Sequence, residues 1–539
     1  MTTDMDDRPR LFRARRIEPL SGTAPEAFLV LGDRFVATGG FDDLRRRAPH
    51  AEVVDLDGAL VVPGFNDAHC HPTVTAETRL RLDVSPAAAG NLTDIRRLLS
   101  DQATRTADGD WIFASGYNPA RTSPDTRLDR AVLDGISTRH PIAVVMFNWH
   151  AAVVNTPALD LIGLTDRSEA PFGGEIGKDP AGHLDGWLYE QAFLDPYWAG
   201  SGRQPWIPDL STDALVDALV EENTFLHSQG ITSYCDAIVT PRAWKTFQAA
   251  REAGRLTPRV GMLLWSTYFD TVRELGIGAG FGDERLRFVG VKTMYDGALM
   301  SGTCLCSRPF PSATDGENGI QLVDRADFGD LVRDVHHAGG RICVHANGDR
   351  AIAEVLDAVE AAQAQGPGAR LNHRIEHCSI VDEGLIARIR DAGVTPVPFA
   401  GAIRQSGDQL VRFYGPERAA NTAAHRAFLD AGITIGGSSD YPTTPVAPLT
   451  AFQSMTSRAL PDGSVIGPEQ RVTARQALEI YTVGSAYACG EAGLKGRIAP
   501  GQLADFVVLD TDILDADPDT IGRTHVLSTW VGGRRVWSA

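Results

Sequence analysis

The chain has 539 residues, of which 43% are hydrophobic and 22% charged, so it can hold a large catalytic domain and at least one smaller unit. Its 51 Lys and Arg residues against 69 Asp and Glu residues give a formal net charge of −18. An acidic surface repels nucleic-acid phosphates and anionic lipids, so we predict no nucleic-acid partner and no membrane partner.

The N-terminal sequence and the cysteines indicate a cytoplasmic protein. The first residues, MTTDMDDRPR, are polar and lack the apolar stretch of a signal peptide. No run of about 18 apolar residues occurs, so no membrane span is expected. The seven cysteines are odd in number and scattered, which predicts free thiols. Cys304 and Cys306 are interpreted as packing residues rather than zinc ligands.

Short β-strands are predicted at both ends of the chain. Between about residues 9 and 62, the segment FLVLGDRFVATG predicts a hairpin that turns near Gly32 and Asp33, and a strand-like segment EVVDLDGALVV follows. Near the C-terminus, ADFVVLD (504–510) and HVLSTWVGGRRVW (525–537) have the same character. Two β-rich ends around an α/β middle predict one small β domain assembled from both termini.

In the middle of the chain, apolar strand candidates alternate with helical stretches, which is the pattern of a parallel α/β sheet. There are eight candidates, counting the strand that leads into His69. The other seven are GITSYCDA (230–237), RVGMLLW (259–265), LRFVGVKTMYDG (286–297), RICVHANGD (341–349), RIEHCSIV (374–381), VTPVPFA (394–400) and GITIGGSSD (432–440). Eight β/α units close a TIM-type barrel, so the predicted fold class is α/β with a (β/α)8 barrel.

The stretch from about 72 to 228 interrupts this alternation, because it is too long for one β/α crossover. We interpret it as an inserted subdomain that covers the barrel mouth. It contains five of the nine tryptophans: Trp111, Trp149, Trp187, Trp198 and Trp206. These rings either line an apolar substrate pocket or form the core of the insertion, and the sequence leaves both open.

His69 and His71 are the first candidate metal ligands. Residues i and i+2 of a strand point to the same side, so both imidazoles can converge on one divalent ion. Such a pair can also arise by accident, since the chain has 14 histidines. The alternative is therefore a pair of histidines without a ligand role.

Three further ligand-type residues, His345, His377 and Asp440, each follow an apolar strand candidate. The C-terminal ends of barrel strands converge on one face, so four strands would deliver four histidines and one aspartate to a small volume. Single histidines at strand ends are usually ordinary polar residues. Agreement among four separate strands favours a metal centre.

Lys292 lies inside the apolar segment FVGVKTMYDG, where an unmodified lysine is costly to bury. One interpretation is a lysine at the edge of the core whose ammonium reaches solvent. The other is a carbamate formed with CO₂, which would turn the cation into an anion able to bridge two metal ions.

A resemblance to a known family extends this set. The motifs PGFNDAHCHP, VKTMYDGAL, HANGD, HRIEHCSIV and GSSDYP, in this order, resemble the amidohydrolase superfamily. They are most similar to amidohydrolase family 3, which includes N-substituted formamide deformylases. The segment QALEIYTVGSAYACGEAGLKGRIAPGQLADFVVLD resembles the family's C-terminal signature. The resemblance covers nearly the whole chain. It implies a β-sandwich from residues 1–62 and 491–539, a barrel over 63–490, and the insertion at 72–228.

The resemblance also implies roles for individual residues. His69, His71 and Asp440 would hold one metal ion, His345 and His377 a second, and a carboxylated Lys292 would bridge them. The count is one or two divalent ions, with zinc the ion most typical of imidazole-rich sites. The segment NWHAAVVNTPAL resembles the family's substrate side. It marks His150 as a contact to the scissile carbonyl or as a structural residue, with Trp149 beside it as a candidate substrate contact.

The predicted function is a metal-dependent hydrolase that cleaves a non-peptide, amide-type carbon–nitrogen bond of a small molecule by metal-activated hydroxide. Asp440 would take the proton from the attacking water and return it to the leaving amine. The alternatives are an ester, lactone, carbamate or cyclic amide as substrate, or a non-catalytic metal-binding scaffold. A homodimer is an open alternative to a monomer.

Overall fold

The computed structural model describes residues 8–122, 127–198, 210–311, 318–365 and 371–539. Its strands, numbered along the chain, are β1 (Arg10–Ala14), β2 (Ala27–Leu31), β3 (Arg34–Gly39), β4 (Glu52–Leu56), β5 (Leu60–Pro63), β6 (Phe65–Cys70), β7 (Leu82–Asp83), β8 (Ile112–Tyr117), β9 (Ile142–Met146), β10 (Ala151–Val154), β11 (Gly174–Lys178), β12 (Leu184–Glu190), β13 (Ile231–Val239), β14 (Arg259–Trp265), β15 (Leu286–Met294), β16 (Ile342–Ala346), β17 (Arg374–His377), β18 (Thr395–Pro398), β19 (Phe506–Leu509), β20 (Val526–Val531) and β21 (Arg534–Ser538).

The helices in the same residues are α1 (Phe41–Arg47), α2 (Pro72–Arg79), α3 (Leu92–Ala103), α4 (Pro119–Thr122), α5 (Arg130–Asp134), α6 (Thr156–Ile162), α7 (Gln191–Trp198), α8 (Thr212–Ser228), α9 (Pro241–Glu252), α10 (Phe269–Glu274), α11 (Arg325–His337), α12 (Asp349–Ala364), α13 (Glu383–Ala392), α14 (Ala402–Ala420), α15 (His425–Asp430), α16 (Pro448–Ser457), α17 (Ala474–Glu479) and α18 (Ser485–Ala488). None of the helices described here is long and apolar enough to cross a membrane.

The chain divides into two compact units. Unit 1 contains the described parts of Met1–Pro72, Val220–Gly319 and Phe328–Ala539, and unit 2 those of Thr73–Leu219 and Ile320–Asp327. The predicted boundaries between a terminal β domain, a barrel and an insertion stay a prediction.

The main sheet of unit 1 is parallel and has seven strands in the order β6, β13, β14, β15, β16, β17 and β18. Strands such as β13 and β14 are buried along their whole length, as expected for a parallel sheet covered on both faces. Ala68 of β6 and Val397 of β18, from the two edge strands, belong to one hydrophobic cluster. The sheet therefore curls round on itself into a nearly closed barrel.

The predicted eighth barrel strand, 432–440, does not form a regular strand in the described chain. It makes two backbone hydrogen bonds at each edge of the sheet: Gly436 N donates to Pro396 O and Ala400 N to Ser438 O on one side, and Ala68 N donates to Gly437 O and Asp440 N to His69 O on the other. Gly437 passes so close to Tyr481 that a Cβ atom would lie 2.3 Å from its ring. This close approach, and the left-handed backbone of Asp440 (φ 54°), keep the segment out of a continuous ladder.

Helices pack around the barrel through apolar stripes, as α13 illustrates. The Asp382 side chain accepts a hydrogen bond from Leu385 N and caps the N-terminus, and Gly393 ends the helix in a left-handed conformation. Between these caps the helix buries residues three and four apart: Leu385, Ile386, Ile389 and Ala392.

Strands from both ends of the chain meet in unit 1. Strand β5 pairs antiparallel with β19, and β19, β20 and β21 continue that four-stranded sheet. A second sheet has the order β3, β2, β1 and β4, and its β2–β3 hairpin turns at Gly32 and Asp33 as predicted. Phe12 and Phe28 of this sheet and Phe506 and Trp530 of the other share one hydrophobic cluster.

Unit 2 is built on a six-stranded sheet in the order β11, β12, β10, β9, β8 and β7. Trp187 lies in its core, and the indole nitrogen donates to Leu128 O at 2.8 Å. Trp206 lies outside the described residues, as does the side chain of Trp198.

All seven cysteines are free and buried, as the sequence predicts. Cys304 and Cys306 lie in an apolar cluster with their sulfur atoms 3.9 Å apart. This placement agrees with a packing role. A cytoplasmic location stays a prediction.

Candidate metal centre

The predicted ligands meet at the C-terminal ends of the barrel strands. His69 is the penultimate residue of β6, and His71 follows that strand directly. Lys292 lies two residues before the end of β15, His345 is the penultimate residue of β16, and His377 ends β17. This face of a β/α barrel is where active sites are built.

Three side chains form the centre of the cluster. His69, His377 and Asp440 can each offer a ligand atom such that these atoms lie within 4.8 Å of one another. Asp440 Oδ1 is 3.3 Å from His69 Nε2 and 3.1 Å from His71 Nε2. One carboxylate oxygen therefore faces two imidazoles from the same strand end, as the His-x-His spacing predicts.

His345 lies beside His377 at the edge of this cluster, with their ring centroids 4.6 Å apart. Its Nε2 lies 3.2 Å from the carbonyl oxygen of Gly297, and the side-chain amide of Asn347 lies 2.9 Å from the same nitrogen. The carbonyl of Gly297 can only accept a hydrogen bond and the amide nitrogen of Asn347 can only donate one, so the two contacts favour opposite tautomers of His345.

The segment carrying Asp440 is fixed to the strand carrying His69. Asp440 N donates to His69 O at 2.9 Å. The buried Asp67 carboxylate accepts from Ser439 N, Ser439 Oγ and His69 N. His377 (φ 67°) and Asp440 (φ 54°) both have left-handed backbones, which are uncommon outside glycine and concentrate at functional sites. The backbones that carry His69 and Asp440 are thus held together by hydrogen bonds.

The buried ion pair of Glu376 and Arg374 contacts the Nδ1 side of His69. His69 Nδ1 is 2.5 Å from Glu376 Oε2, and Arg374 binds both oxygens of Glu376 at 2.7 Å. All three side chains are fully buried. Since Nδ1 faces Glu376, the other nitrogen of His69 faces Asp440.

The protonation states suit metal ligands. Burial lowers the pKa of His377 to about 3 and that of His71 to about 4, so both imidazoles are neutral at pH 7. Burial by itself raises the pKa of Asp440. The interactions with His377, His69 and His71 outweigh that effect and hold the pKa of Asp440 well below its usual range. The site therefore offers imidazole lone pairs and an ionised carboxylate.

Lys292 is buried near these ligands and influences the pKa values of His69, His71 and His377. Burial lowers the pKa of Lys292 to about 8, although Glu376 and Asp440 act to raise it. The neutral amine is the form that adds CO₂, and a pKa of about 8 leaves a useful fraction of it at neutral pH.

This donor set fits a divalent metal ion. Neutral imidazoles and a carboxylate are ligands that zinc prefers, and the supporting hydrogen bonds orient them. The most exposed ligand side chains are Asp440 (16%) and His71 (12%), while His69 is fully buried.

The amidohydrolase family model matches residues 52–537, which is most of the chain. The chain belongs to the amidohydrolase family. It is 27% identical over 521 residues to the N-substituted formamide deformylase of Arthrobacter pascens, with 94% of each chain covered. Among solved structures, an uncharacterized metal-dependent hydrolase from Pyrococcus horikoshii OT3 matches with a TM-score of 0.77 and 21% identity over 95% of this chain and 99% of that one. Another, from Pyrococcus furiosus, has a TM-score of 0.72 and 24% identity over 95% and 100%. These structures share the fold of this amidohydrolase.

Two predicted site residues of this amidohydrolase lie in unit 2. His150 Nδ1 is 2.7 Å from Glu190 Oε2, which makes a histidine–carboxylate pair. The backbones of Trp149 (φ 61°) and Glu190 (φ 47°) are left-handed. The Trp149 ring is only 8% exposed and packs edge-on against Tyr197, with ring centroids 5.2 Å apart. This burial favours the packing interpretation of Trp149.

Sequence reasoning missed some residues that support the amidohydrolase centre. Asp67 and Ser439 link the two segments that carry His69 and Asp440, and Asn347 contacts His345. Each stands one or two residues from a ligand, and Asp67 is an acidic residue inside an apolar strand. That placement is the signal from which they could have been found.

Proposed function

We propose that this amidohydrolase cleaves a non-peptide, amide-type carbon–nitrogen bond of a small molecule, using one or two divalent metal ions at His69, His71, Lys292, His345, His377 and Asp440. The observation that carries the proposal is the convergence of these side chains at the strand ends of the barrel. Family membership and the formamide deformylase relative support hydrolysis of carbon–nitrogen bonds in general. Zinc is the proposed ion because the ligands are mostly imidazoles.

A bound divalent ion would supply Lewis acidity, polarising the substrate carbonyl and lowering the pKa of water. Asp440 is the proposed proton carrier, because its carboxylate is ionised and part of it reaches solvent. It takes one proton from the attacking water and gives it to the leaving nitrogen when the C–N bond breaks. The Nε2 atoms of His69 and His71 both face Oδ1 of this carboxylate.

We propose Lys292 as a carbamate. Its neutral amine adds CO₂ to form an N-carboxylate and releases one proton, so a buried cation becomes an anion. The bridging role implied by the family motif needs this change of sign, because an ammonium group between two cations would be strongly repelled.

His150 is the proposed contact to the scissile carbonyl. Its pairing with the buried Glu190 fixes the ring and favours a hydrogen on Nδ1. The other ring nitrogen would be the one that meets the substrate.

Metal analysis tests the ligand assignment. The purified protein should hold one to two equivalents of divalent metal, and His69→Ala and His345→Ala should each lose both metal and activity. His525→Ala, which removes an exposed histidine paired with Asp510, is the matched control and should keep both. Full metal occupancy in both His69→Ala and His345→Ala would refute the assignment.

A substrate panel tests the bond that is cleaved. Matched amide, ester and carbamate substrates, with a lactone and a cyclic amide, should show the highest kcat/KM for the amide. A higher kcat/KM for another substrate of the panel would mean that the enzyme acts mainly on that type of bond. Bound metal without turnover of any member would instead support a non-catalytic scaffold.

A further inference from the structure

We infer that Glu376 and Arg374 form a positioning device for His69, which fixes the nitrogen that this histidine offers to a metal ion. The inference rests on the proposed metal-dependent function and concerns residues that would not themselves bind the metal. Both residues lie on β17, and Arg374 precedes the ligand His377 by three residues.

The geometry of Glu376 sets the tautomer of His69. Glu376 Oε2 is 2.5 Å from His69 Nδ1, and a carboxylate only accepts hydrogen bonds. Nδ1 must therefore carry a hydrogen, and in the neutral ring the lone pair is on Nε2. That nitrogen faces Asp440 Oδ1 at 3.3 Å. Without this contact, the imidazole could exchange its two tautomers and rotate.

Arg374 keeps Glu376 ionised and in place. Its Nε and Nη2 atoms bind the two carboxylate oxygens at 2.7 Å each, a bidentate arrangement with strong orientational preference. Burial raises the pKa of Glu376, but Arg374 and His69 outweigh this and hold the pKa below its usual range. The two hydrogen bonds from Arg374 thus hold the carboxylate in one orientation, with Oε2 directed at His69.

Arg374 also ties together the strands that carry two ligands. Its Nη2 donates to the carbonyl oxygen of Ala68, the residue before His69, at 2.7 Å. Because Arg374 lies on the strand of His377, the guanidinium group spans the barrel interior from β17 to β6. The separation of His69 and His377 is therefore set by a buried ion pair, before any metal binds.

The decisive variant is Glu376→Asp. It keeps the negative charge next to Arg374 but shortens the side chain by one methylene, so the carboxylate no longer reaches His69 Nδ1. We expect the affinity for zinc, measured by competition with a chromophoric chelator, to fall about 10- to 100-fold, as for other residues that orient metal ligands. Glu376→Gln, whose amide oxygen still accepts from Nδ1, should retain more of the affinity than Glu376→Asp.

Glu491→Asp is the matched control. Glu491 is also buried and paired with a cation, with its Oε2 2.7 Å from Lys495 Nζ, but it is not placed against a ligand. Its shortening should leave zinc affinity unchanged. Equal zinc affinities for the wild type and a folded Glu376→Asp variant would overturn the inference, and so would an equal loss in Glu491→Asp.

A measurement on the metal-free wild-type protein keeps the inference testable if a variant does not fold. The ¹⁵N resonances of His69, assigned by comparison with His69→Gln and followed to the alkaline limit of their titration, should show the hydrogen on Nδ1 in the neutral ring. A hydrogen on Nε2 would overturn the inference. This readout needs neither metal nor turnover, so it separates failure of the positioning device from failure of the proposed function.

Discussion

At the scale of single residues, Lys292 combines complete burial with a side chain that is normally charged. Burial lowers its pKa to about 8, so the amine can react with CO₂ without a large cost for losing its proton. The carbamate interpretation therefore agrees with the local environment. The alternative, in which the ammonium group reaches solvent, does not agree with it, because Lys292 is almost fully buried.

Lys292→Ala should reduce kcat/KM at least about 100-fold, since the loss of a ligand should exceed the effect of residues that only orient ligands. A short carboxylic acid such as propionate should restore part of the activity by replacing the missing anion. Metal content and activity are measured with and without the acid. A bare ammonium group in a high-resolution structure with two bound metals would contradict the carbamate.

Trp149 is the second residue whose role can be tested. Its burial against Tyr197 predicts that Trp149→Phe lowers the free energy of unfolding by about 1–3 kcal/mol. The kcat/KM values for small and bulky amides should then change by the same factor. A KM that rises only for bulky amides, with metal still bound, would make Trp149 a substrate contact instead.

At the scale of elements, helix α15 begins with a buried histidine that the proposed mechanism does not use. Burial, with a smaller contribution from the charge of Arg458, lowers the pKa of His425 to about 3. Among the described residues its Nε2 has no hydrogen-bond partner. His425 is therefore neutral in the folded protein at neutral pH, whereas unfolding would allow it to take up a proton in mild acid.

The sign of the pH dependence follows from the lowered pKa. The unfolded chain binds a proton at His425 below a pH of about 6.5, whereas the folded chain does so only near 3, so stability falls as the pH decreases between these values. We expect about 2 kcal/mol less stability at pH 5 than at pH 8 from this residue. His425→Phe, which cannot titrate, should show a smaller loss in chemical denaturation of the metal-free protein, and an unchanged loss would argue against this role.

At the scale of the whole molecule, a buried ion pair connects the barrel to the C-terminal strands within unit 1. Arg259, at the start of β14, binds both oxygens of Asp505, just before β19, at 2.7 and 3.0 Å. Asp505 also accepts from Gly532 N at 2.8 Å. Both side chains are buried, so neither charge can be satisfied by water if its partner is removed.

Arg259→Ala should lower the free energy of unfolding by about 3–5 kcal/mol, because it leaves the Asp505 carboxylate buried and uncompensated. Arg13→Ala is the control, since it breaks the exposed pair of Arg13 with Asp55 and should cost at most about 1 kcal/mol. Urea denaturation of the two variants measures the difference. Similar losses in both would mean that Arg259 is not an anchor between these segments.

The sequence by itself determined most of the barrel strands and the residue types of the candidate metal site. Buried parallel strands are apolar along their length, and seven of the eight predicted barrel strands are present where they were expected. The spacing of His69 and His71 and the strand-end positions of His345 and His377 depend only on local periodicity and chain order. For that reason the sequence alone was sufficient to place these four histidines on one face of the barrel.

Only the tertiary structure decided how distant residues meet. Glu376 and His69 are 307 positions apart, and no local pattern indicates that their side chains are in contact. The same holds for the close approach of Gly437 to Tyr481, which interrupts the eighth strand, and for the burial of Trp149. Side-chain directions at such contacts are set by packing inside the nearly closed barrel and, separately, inside unit 2, and this information is spread over each unit.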